Sequence, residues 1–226
     1  MVIDLGVCMS DSKQLESFVQ LARNIGFTCF ATNNVEGEPD QRLQDGFSVL
    51  KRVDISGKSL KTVRKQVDSV RKDVMIVSVK LSSVDLANWA AEDQRVDLIT
   101  VDHSLEYRFR DTTARLAAAS DTALEIRFEP LLRLVGLNRS KVIKLYRETV
   151  RTAIDAGMQV ILSSGAKQPL QLRPPMAMRH ICELLGMEQK YAENAVKQAP
   201  LRIVERNRGR FSSGYVAEGV RVLQGD

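Results

Sequence analysis

Short apolar runs alternate with amphipathic helical segments along this chain, and that rhythm restricts its fold more than anything else. Val2 to Val7, Phe27 to Ala31, Phe47 to Ile55, Val74 to Val79, Val96 to Val101, Ala123 to Phe128 and the run beginning at Val160 read as strands. Between them, apolar residues recur at helical spacing, as in Leu15, Phe18, Val19, Ala22 and Ile25 ahead of Gly26. Leu60, Val63, Val67 and Val70 mark a second such helix. Val74 to Val79 is almost purely apolar, as a strand buried on both faces must be. Strand and helix in alternation build parallel βαβ units.

Seven or so units favour a closed barrel over an open sheet. The expected fold is α/β: a TIM-barrel-like (β/α) barrel of about seven to eight parallel strands. With 226 residues the chain is short for a (β/α)8 barrel, typically about 250, so one unit should be abbreviated. The segment Asn33 to Gly46 is the candidate: it is polar and acidic, carries Gly37 and Pro39, and no strong helical pattern follows the second strand. A single barrel domain is expected over 1–199 and a basic C-terminal extension over 200–226. No GxGxxG follows the first strand and no Walker A lysine motif occurs, which sets aside dinucleotide-binding and P-loop folds.

The last strand ends abruptly, Val160-Ile161-Leu162-Ser163-Ser164-Gly165-Ala166-Lys167. In barrels function gathers at this carboxyl end of the strands. Arg173-Pro174-Pro175 then forms a stiff elbow into a helix with proline in its first turn. Ser163, Ser164 and Gly165 are thus a candidate phosphate-binding turn, with Lys167 and Arg173 beside it.

Charge points the same way. The formal net charge is +5 and the pI about 9.2, which favours an anionic partner. The helix expected over Ser140 to Ala156 lines Ser140, Lys144, Arg147 and Arg151 along one face. The tail carries Lys197, Arg202, Arg206, Arg208 and Arg210 against Glu205 alone, then Phe211 and Tyr215. Arginines interleaved with glycine and aromatics hold RNA through phosphate contacts and stacking. Solvated basic faces are the plain alternative in both places.

Catalytic candidates are few. His103 ends a strand beside Asp102 and before the helix-capping Ser104, and His180 lies within a helix. Two histidines without an HxH pair are too few for a two- or three-metal phosphoesterase site. In the sixth strand, alternation sends Glu125, Arg127 and Glu129 to the face opposite Leu124, Ile126 and Phe128. That charged face is either an ion pair filling the barrel or an acid–base couple. Cys8, Cys29 and Cys182 are odd in number and contain no CxxC, which fits buried free thiols in a reducing cytoplasm. No apolar run approaches membrane-spanning length.

Several of these stretches resemble one family. Asp97-Leu98-Ile99, Leu124-Glu125-Ile126, Ile161-Leu162-Ser163-Ser164-Gly165-Ala166 and Leu172-Arg173-Pro174-Pro175, with a helix ending Leu184-Leu185-Gly186, are similar to archaeal ribonuclease P protein component 3. That family is related to the eukaryotic thirty-kilodalton subunit. The resemblance spans residues 1 to about 210, and Ser-Ser-Gly-Ala followed by Leu-Arg-Pro is its most specific part.

The resemblance implies a barrel related to the polymerase and histidinol phosphatase barrels. Those relatives carry metal-binding histidines near the first strand, where this chain has Asp4-Leu5-Gly6-Val7. It implies an accessory subunit of ribonuclease P, whose RNA removes the 5′ leader of precursor tRNA with Mg2+. The chain itself would bind no cofactor or metal and hold no catalytic residue. Its partners would be the ribonuclease P RNA and protein component 2, in a two-plus-two assembly, with components 1 and 4 indirectly. The expected RNA contacts are Lys167, Arg173, Arg179, Arg202, Arg206 and Arg208, with Lys144, Arg147 and Arg151 as second choices. The acidic Asn33 to Gly46 segment suits the protein partner better than RNA. The competing expectations are a stand-alone metal phosphoesterase or phosphate-binding enzyme, and a scaffold without RNA contact.

Overall fold

A computed structural model describes residues 1–57, 59–104 and 107–212, and the backbone of 215–217 and 220–221. Seven parallel strands wrap into a nearly closed barrel. They are β1 (Ile3–Val7), β2 (Cys29–Thr32), β4 (Ser48–Ile55), β5 (Ile76–Lys80), β6 (Leu98–Thr100), β7 (Ala123–Arg127) and β8 (Val160–Ser163), hydrogen-bonded in that order. The helices run between them: α1 (Leu15–Asn24), α2 (Leu60–Val70), α3 (Val84–Glu92), α4 (Asp111–Ala119), the short α5 (Glu129–Arg133) and the long α6 (Gly136–Asp155). α7 (Pro175–Leu184), α8 (Gln189–Glu193) and α9 (Ala199–Arg210) follow the last barrel strand, and one π turn, Asn194–Gln198, links the final two. This is the barrel expected from the alternation.

The abbreviated unit lies where the sequence lacks helical periodicity. β2 passes to β4 without a helix, and the connection instead lays β3 (Asp40–Arg42) antiparallel on β4. β3 is too short and too polar to register as a strand from pattern alone.

Alternation along the strands divides the core. Leu124, Ile126 and Phe128 pack outward with Val77, Val79, Ile99 and Leu162 against the helices. Ile3, Leu5, Cys29, Ala31, Leu50, Ile76, Leu98, Ala123 and Ile161 form a second, separate cluster inside the barrel. Ile203 and Val204 of α9 belong to this inner cluster.

α9 therefore plugs the amino-terminal end of the barrel. The segment expected as an extension from 200 onward thus begins inside α9, which buries Ala199, Pro200, Ile203, Val204 and Asn207. Its amphipathic pattern is weak in sequence because part of the buried stripe is polar. Asn207 is fully buried and donates to Met75 O (2.8 Å) and Asp97 Oδ1 (2.9 Å).

The β8–β1 seam is joined differently from the other strand pairs. Among the described residues no ladder connects them. Gly165 N donates to Gly6 O (2.9 Å) and Cys8 N to Ala166 O (2.8 Å). Lower down, the Asp4 carboxylate accepts from Ser164 N and Gly6 N, both at 3.1 Å, standing in for a strand carbonyl. Burial raises the Asp4 pKa, and the Ser164 and Gly6 hydrogen bonds only partly offset it.

Candidate nucleic-acid interface

At the carboxyl ends of the strands the barrel interior turns from apolar to charged. Arg52 sits one alternation beyond Leu50 and is fully buried. It donates to both Glu125 oxygens (2.6 and 2.5 Å), to Asp54 Oδ1 (3.0 and 2.8 Å) and to the Leu5 carbonyl. Glu125 also accepts from Ser163 Oγ (2.6 Å), Thr100 Oγ1 (2.7 Å) and Arg127 Nε (3.0 Å). Arg127 reaches Asp54 at 2.6 Å and the Cys8 sulfur at 3.2 Å.

Burial alone would push Glu125 up, but the Arg127 and Arg52 guanidiniums outweigh it and hold its pKa well below the usual carboxylate range. Asp54 is lowered in the same way, burial being overcome by Arg52 and Arg127. A carboxylate that stays ionised and accepts this many bonds is a poor proton donor or base. The charged face of the sixth strand is thus an ion pair filling the barrel, and the acid–base couple is not present there. Arg52 is its missing partner, and sequence reading passed it over. Its signal was an arginine and an aspartate following Leu50 on the same face of the strand, Leu50-Lys51-Arg52-Val53-Asp54.

Gly6 makes this packing feasible. A Cβ there would lie 2.6 Å from Ser163 Cβ and 2.7 Å from Glu125 Oε1, closer than atoms can approach. Here its neighbours are committed to arginine, and among the described residues no three His, Cys, Asp or Glu side chains are grouped to hold a metal ion.

Asp102 is likewise occupied: it pairs with Lys80 and accepts from Ser104 N (2.8 Å) and Oγ (2.7 Å). His103 lies 3.8 Å from it, beside a cleft of about 170 Å³. His180 is exposed and pairs with Glu183 at 2.8 Å.

The Ser163-Ser164-Gly165 turn presents no open cradle. Ser163 and Ser164 are buried; Ser163 Oγ serves Glu125, Ser164 N serves Asp4 and Gly165 N serves Gly6 O. Ser164 Oγ accepts from Ala166 N at 3.1 Å. Gly165 is left-handed (φ 66) and lies against Arg127 and Glu129 side chains. The turn closes the barrel seam, so the expectation of a phosphate-binding turn gives way to a structural role. Lys167 stands exposed beside it. Arg173 is spent on the Leu170 and Leu172 carbonyls, both at 2.8 Å, and Arg179 lies 3.7 Å from Glu183.

The remaining basic residues divide in two. Arg208 ties α9 to β3 through Asp40 (2.8 Å), and Arg206 reaches the buried Asp97 (2.9 Å), which also holds Arg71 (2.7 Å). These are clamps between α9 and the barrel. Arg202 instead donates only to neutral groups, Gln159 Oε1 (2.7 Å) and Asn194 Oδ1 (3.0 Å). Arg147 donates to Leu184 O (2.9 Å), and Arg151 lies 3.7 Å from Asp155 with its side chain 84% exposed.

The fold brings these last three together. Arg147 and Arg151 line one cleft of about 300 Å³ with Tyr191. Tyr191 also lines an adjoining cleft of about 300 Å³ with Lys190, Asn194 and Arg202. A third cleft, about 230 Å³, shares Arg202 and continues to Arg206. Two sequence stretches read separately, the α6 face and the tail, thus form one furrow around the exposed Tyr191, in which Asp155 faces Arg151 and Glu188 faces Lys190 while Arg147 and Arg202 meet no carboxylate among the described residues. Lys144 is exposed further along α6.

Residues 1–212 match the family model described as RNase P subunit p30. The chain belongs to that family. As a member of the RNase P subunit p30 family it is a subunit of ribonuclease P and so part of a ribonuclease holoenzyme. A ribonuclease P protein component 3 from Methanosarcina barkeri is 28% identical over 90% of this chain and 87% of the relative. One from Methanothermobacter thermautotrophicus is 28% identical over 80% and 74%. A chain of the cryo-EM structure of archaeal ribonuclease P with mature tRNA shares the fold at a TM-score of 0.81 and 20% identity, over 99% of both chains. An amidohydrolase crystal structure shares the barrel more distantly, with TM-score 0.58 and 13% identity over 90% of this chain and 74% of that one.

Proposed function

We propose that this p30-family chain works as a non-catalytic, cytoplasmic subunit that assists the ribonuclease P RNA by neutralising its phosphates. The removal of the 5′ leader from precursor tRNA, and the Mg2+ it needs, then belong to the RNA. Protein component 2 would be its direct partner, as a two-plus-two pair, with components 1 and 4 acting elsewhere on the RNA. The observation that carries this reading is the furrow around Tyr191, where Arg151 and Lys190 face Asp155 and Glu188 but Arg147 and Arg202 do not. In it, Arg147 and Arg202 meet no carboxylate among the described residues, so their charge stays available to an anion. Phosphate contacts supply sequence-independent affinity, and an exposed tyrosine adds stacking with unpaired bases. Lys144 and Lys167 are outlying contacts, while Arg173, Arg179, Arg206 and Arg208 act first within the fold.

A stand-alone barrel phosphoesterase is not favoured, because the carboxylates at the strand ends are consumed by Arg52 and Arg127.

The test is binding of the cognate ribonuclease P RNA across a salt series, with Arg147→Ala/Arg202→Ala against the native chain, alongside precursor-tRNA cleavage at limiting Mg2+. The native chain with its protein partner should lower the Mg2+ requirement. The double variant should lose affinity, and the slope of log K against log salt should fall by about 1 per lost phosphate contact. An unchanged slope and unchanged Mg2+ requirement would remove the furrow from the RNA interface.

A further inference from the structure

Between β7 and α6 the chain turns an aliphatic corner. Leu131, Leu132, Leu134, Val135 and Leu137 crowd into seven residues. Val135 is 72% and Leu137 70% exposed, and Leu131, Leu132 and Leu134 are half-buried beside them. Gly136 turns the corner with φ 53, a left-handed angle that an L side chain rarely adopts. From Pro130 to Arg147 the sequence contains no aspartate or glutamate, but it carries Arg133, Arg139, Lys141, Lys144 and Arg147. Among the described residues, only Arg133 of these has a carboxylate partner, Glu129 at 3.0 Å. Arg139 folds back onto the Leu134 carbonyl at 2.6 Å.

The same corner starts the longest helix of the molecule with no cap. The N-cap position of α6 is Val135, which offers no side-chain hydrogen bond, and the first turn has no acidic residue. Valine is among the poorest N-cap residues, and the unbonded amides there carry the positive end of the helix dipole. Exposed aliphatics, uncompensated cations and an open helix terminus thus coincide in one place.

We propose that this corner docks a protein partner through an acidic, aliphatic segment, one with aspartate or glutamate beside leucine, isoleucine or valine. The inference rests on the reading of the chain as a ribonuclease P subunit and assigns one of its protein contacts. A carboxylate of the partner would cap α6 and face Arg139 and Lys141, while its aliphatics cover Val135 and Leu137. RNA supplies the negative charge but leaves the aliphatics wet, and contiguous exposed apolar groups mark protein contacts. A second copy of this chain supplies the aliphatics but sets the same cations against each other, since a two-fold contact pairs each patch with itself.

The other protein subunits of the same ribonuclease P, each purified without RNA, are the probes. Each is titrated against the native chain, Val135→Ser/Leu137→Ser and Arg139→Glu/Lys141→Glu. These side chains are exposed, and circular dichroism should show all three proteins folded. One subunit should bind the native chain. Both variants should weaken that binding about tenfold or more, as loss of a central anchor does. The charge-reversal loss should shrink as salt rises. Affinity of Val135→Ser/Leu137→Ser for the ribonuclease P RNA should be unchanged.

If a subunit binds all three proteins equally, this docking site is wrong while the chain remains a subunit. If Val135→Ser/Leu137→Ser loses RNA affinity instead, the corner is an RNA contact. If the native chain self-associates and the variant does not, the occupant is a second copy. If the native chain binds no subunit and leaves RNA cleavage unaltered, the subunit reading itself fails.

Discussion

The two ends of this barrel carry charge in opposite ways. At the carboxyl ends of the strands, the buried Arg52 and Glu125, the half-buried Arg127 and the exposed Asp54 face one another and satisfy one another. Toward the amino ends, arginines surround α9, and at Arg202 the charge meets only amide oxygens. Barrel enzymes keep their chemistry at the first of these ends. Here that end is closed by its own ion pairs, and the charge left over for a partner lies outside the barrel, along α6, α8 and α9. The end where barrel enzymes work is thus filled by a self-satisfied ion-pair network, and the cations without carboxylate partners lie elsewhere.

The contrast is broken most directly at Arg52. Arg52→Leu leaves Glu125 buried with its main partner gone, and should cost about 3–5 kcal/mol in chemical denaturation. A loss under about 1 kcal/mol would mean that the network is wet and open. Ile203→Ala comes next: it removes α9's anchor in the inner cluster and should cost about 2–5 kcal/mol while the RNA salt slope stays the same. Gly6→Ala should cost about 1–3 kcal/mol by forcing a Cβ against Ser163 and Glu125, read as a lowered midpoint with unchanged slope. Arg202→Ala should sharpen the comparison from the other side, moving stability by about 0.5 kcal/mol or less while weakening RNA binding.

The pH dependence separates the mouth from the seam. Glu125 and Asp54 have lowered folded pKa values, so they stabilise above their ordinary values near 4 and lose that contribution as pH falls towards the folded ones. Asp4 runs the other way. Its folded pKa is raised, so ionisation costs stability above it, and that cost is relieved as pH falls through it. Asp4→Asn keeps the Oδ1 acceptor and drops the charge. The native chain should therefore gain on Asp4→Asn between pH 7 and 4 in paired thermal melts, the smallest of these effects.

The barrel was readable because its signals are local. Each strand is a short apolar run and each helix a stripe, so the seven parallel strands and the missing helix after β2 follow from periodicity. Glu125 and Arg127 could be sent inward by alternation alone. What the sequence could not supply was partnership across distance. Arg52 meets Glu125 from a strand 73 positions away, and Ser163 meets it from 38 positions the other way. Ser163-Ser164-Gly165 has the composition of a phosphate turn, and only the seam opposite, at Gly6, shows why its donors are spent. The same holds for Arg206 and Arg208, which look like free tail charges until Asp97 and Asp40 are beside them. α9 was missed as a plug because Asn207 takes a core position that pattern reading reserves for apolar residues.

The plug has a consequence for synthesis on the ribosome. Arg208 contacts Asp40 and the Met1 sulfur, and Ile203 packs with Ile3 and Leu5. β1 is completed by α9, far along the chain from it. Until residues near 210 have left the exit tunnel, the inner cluster lacks its cover and the β8–β1 seam lacks its floor. The inner cluster therefore keeps an uncovered apolar face until α9 packs on it.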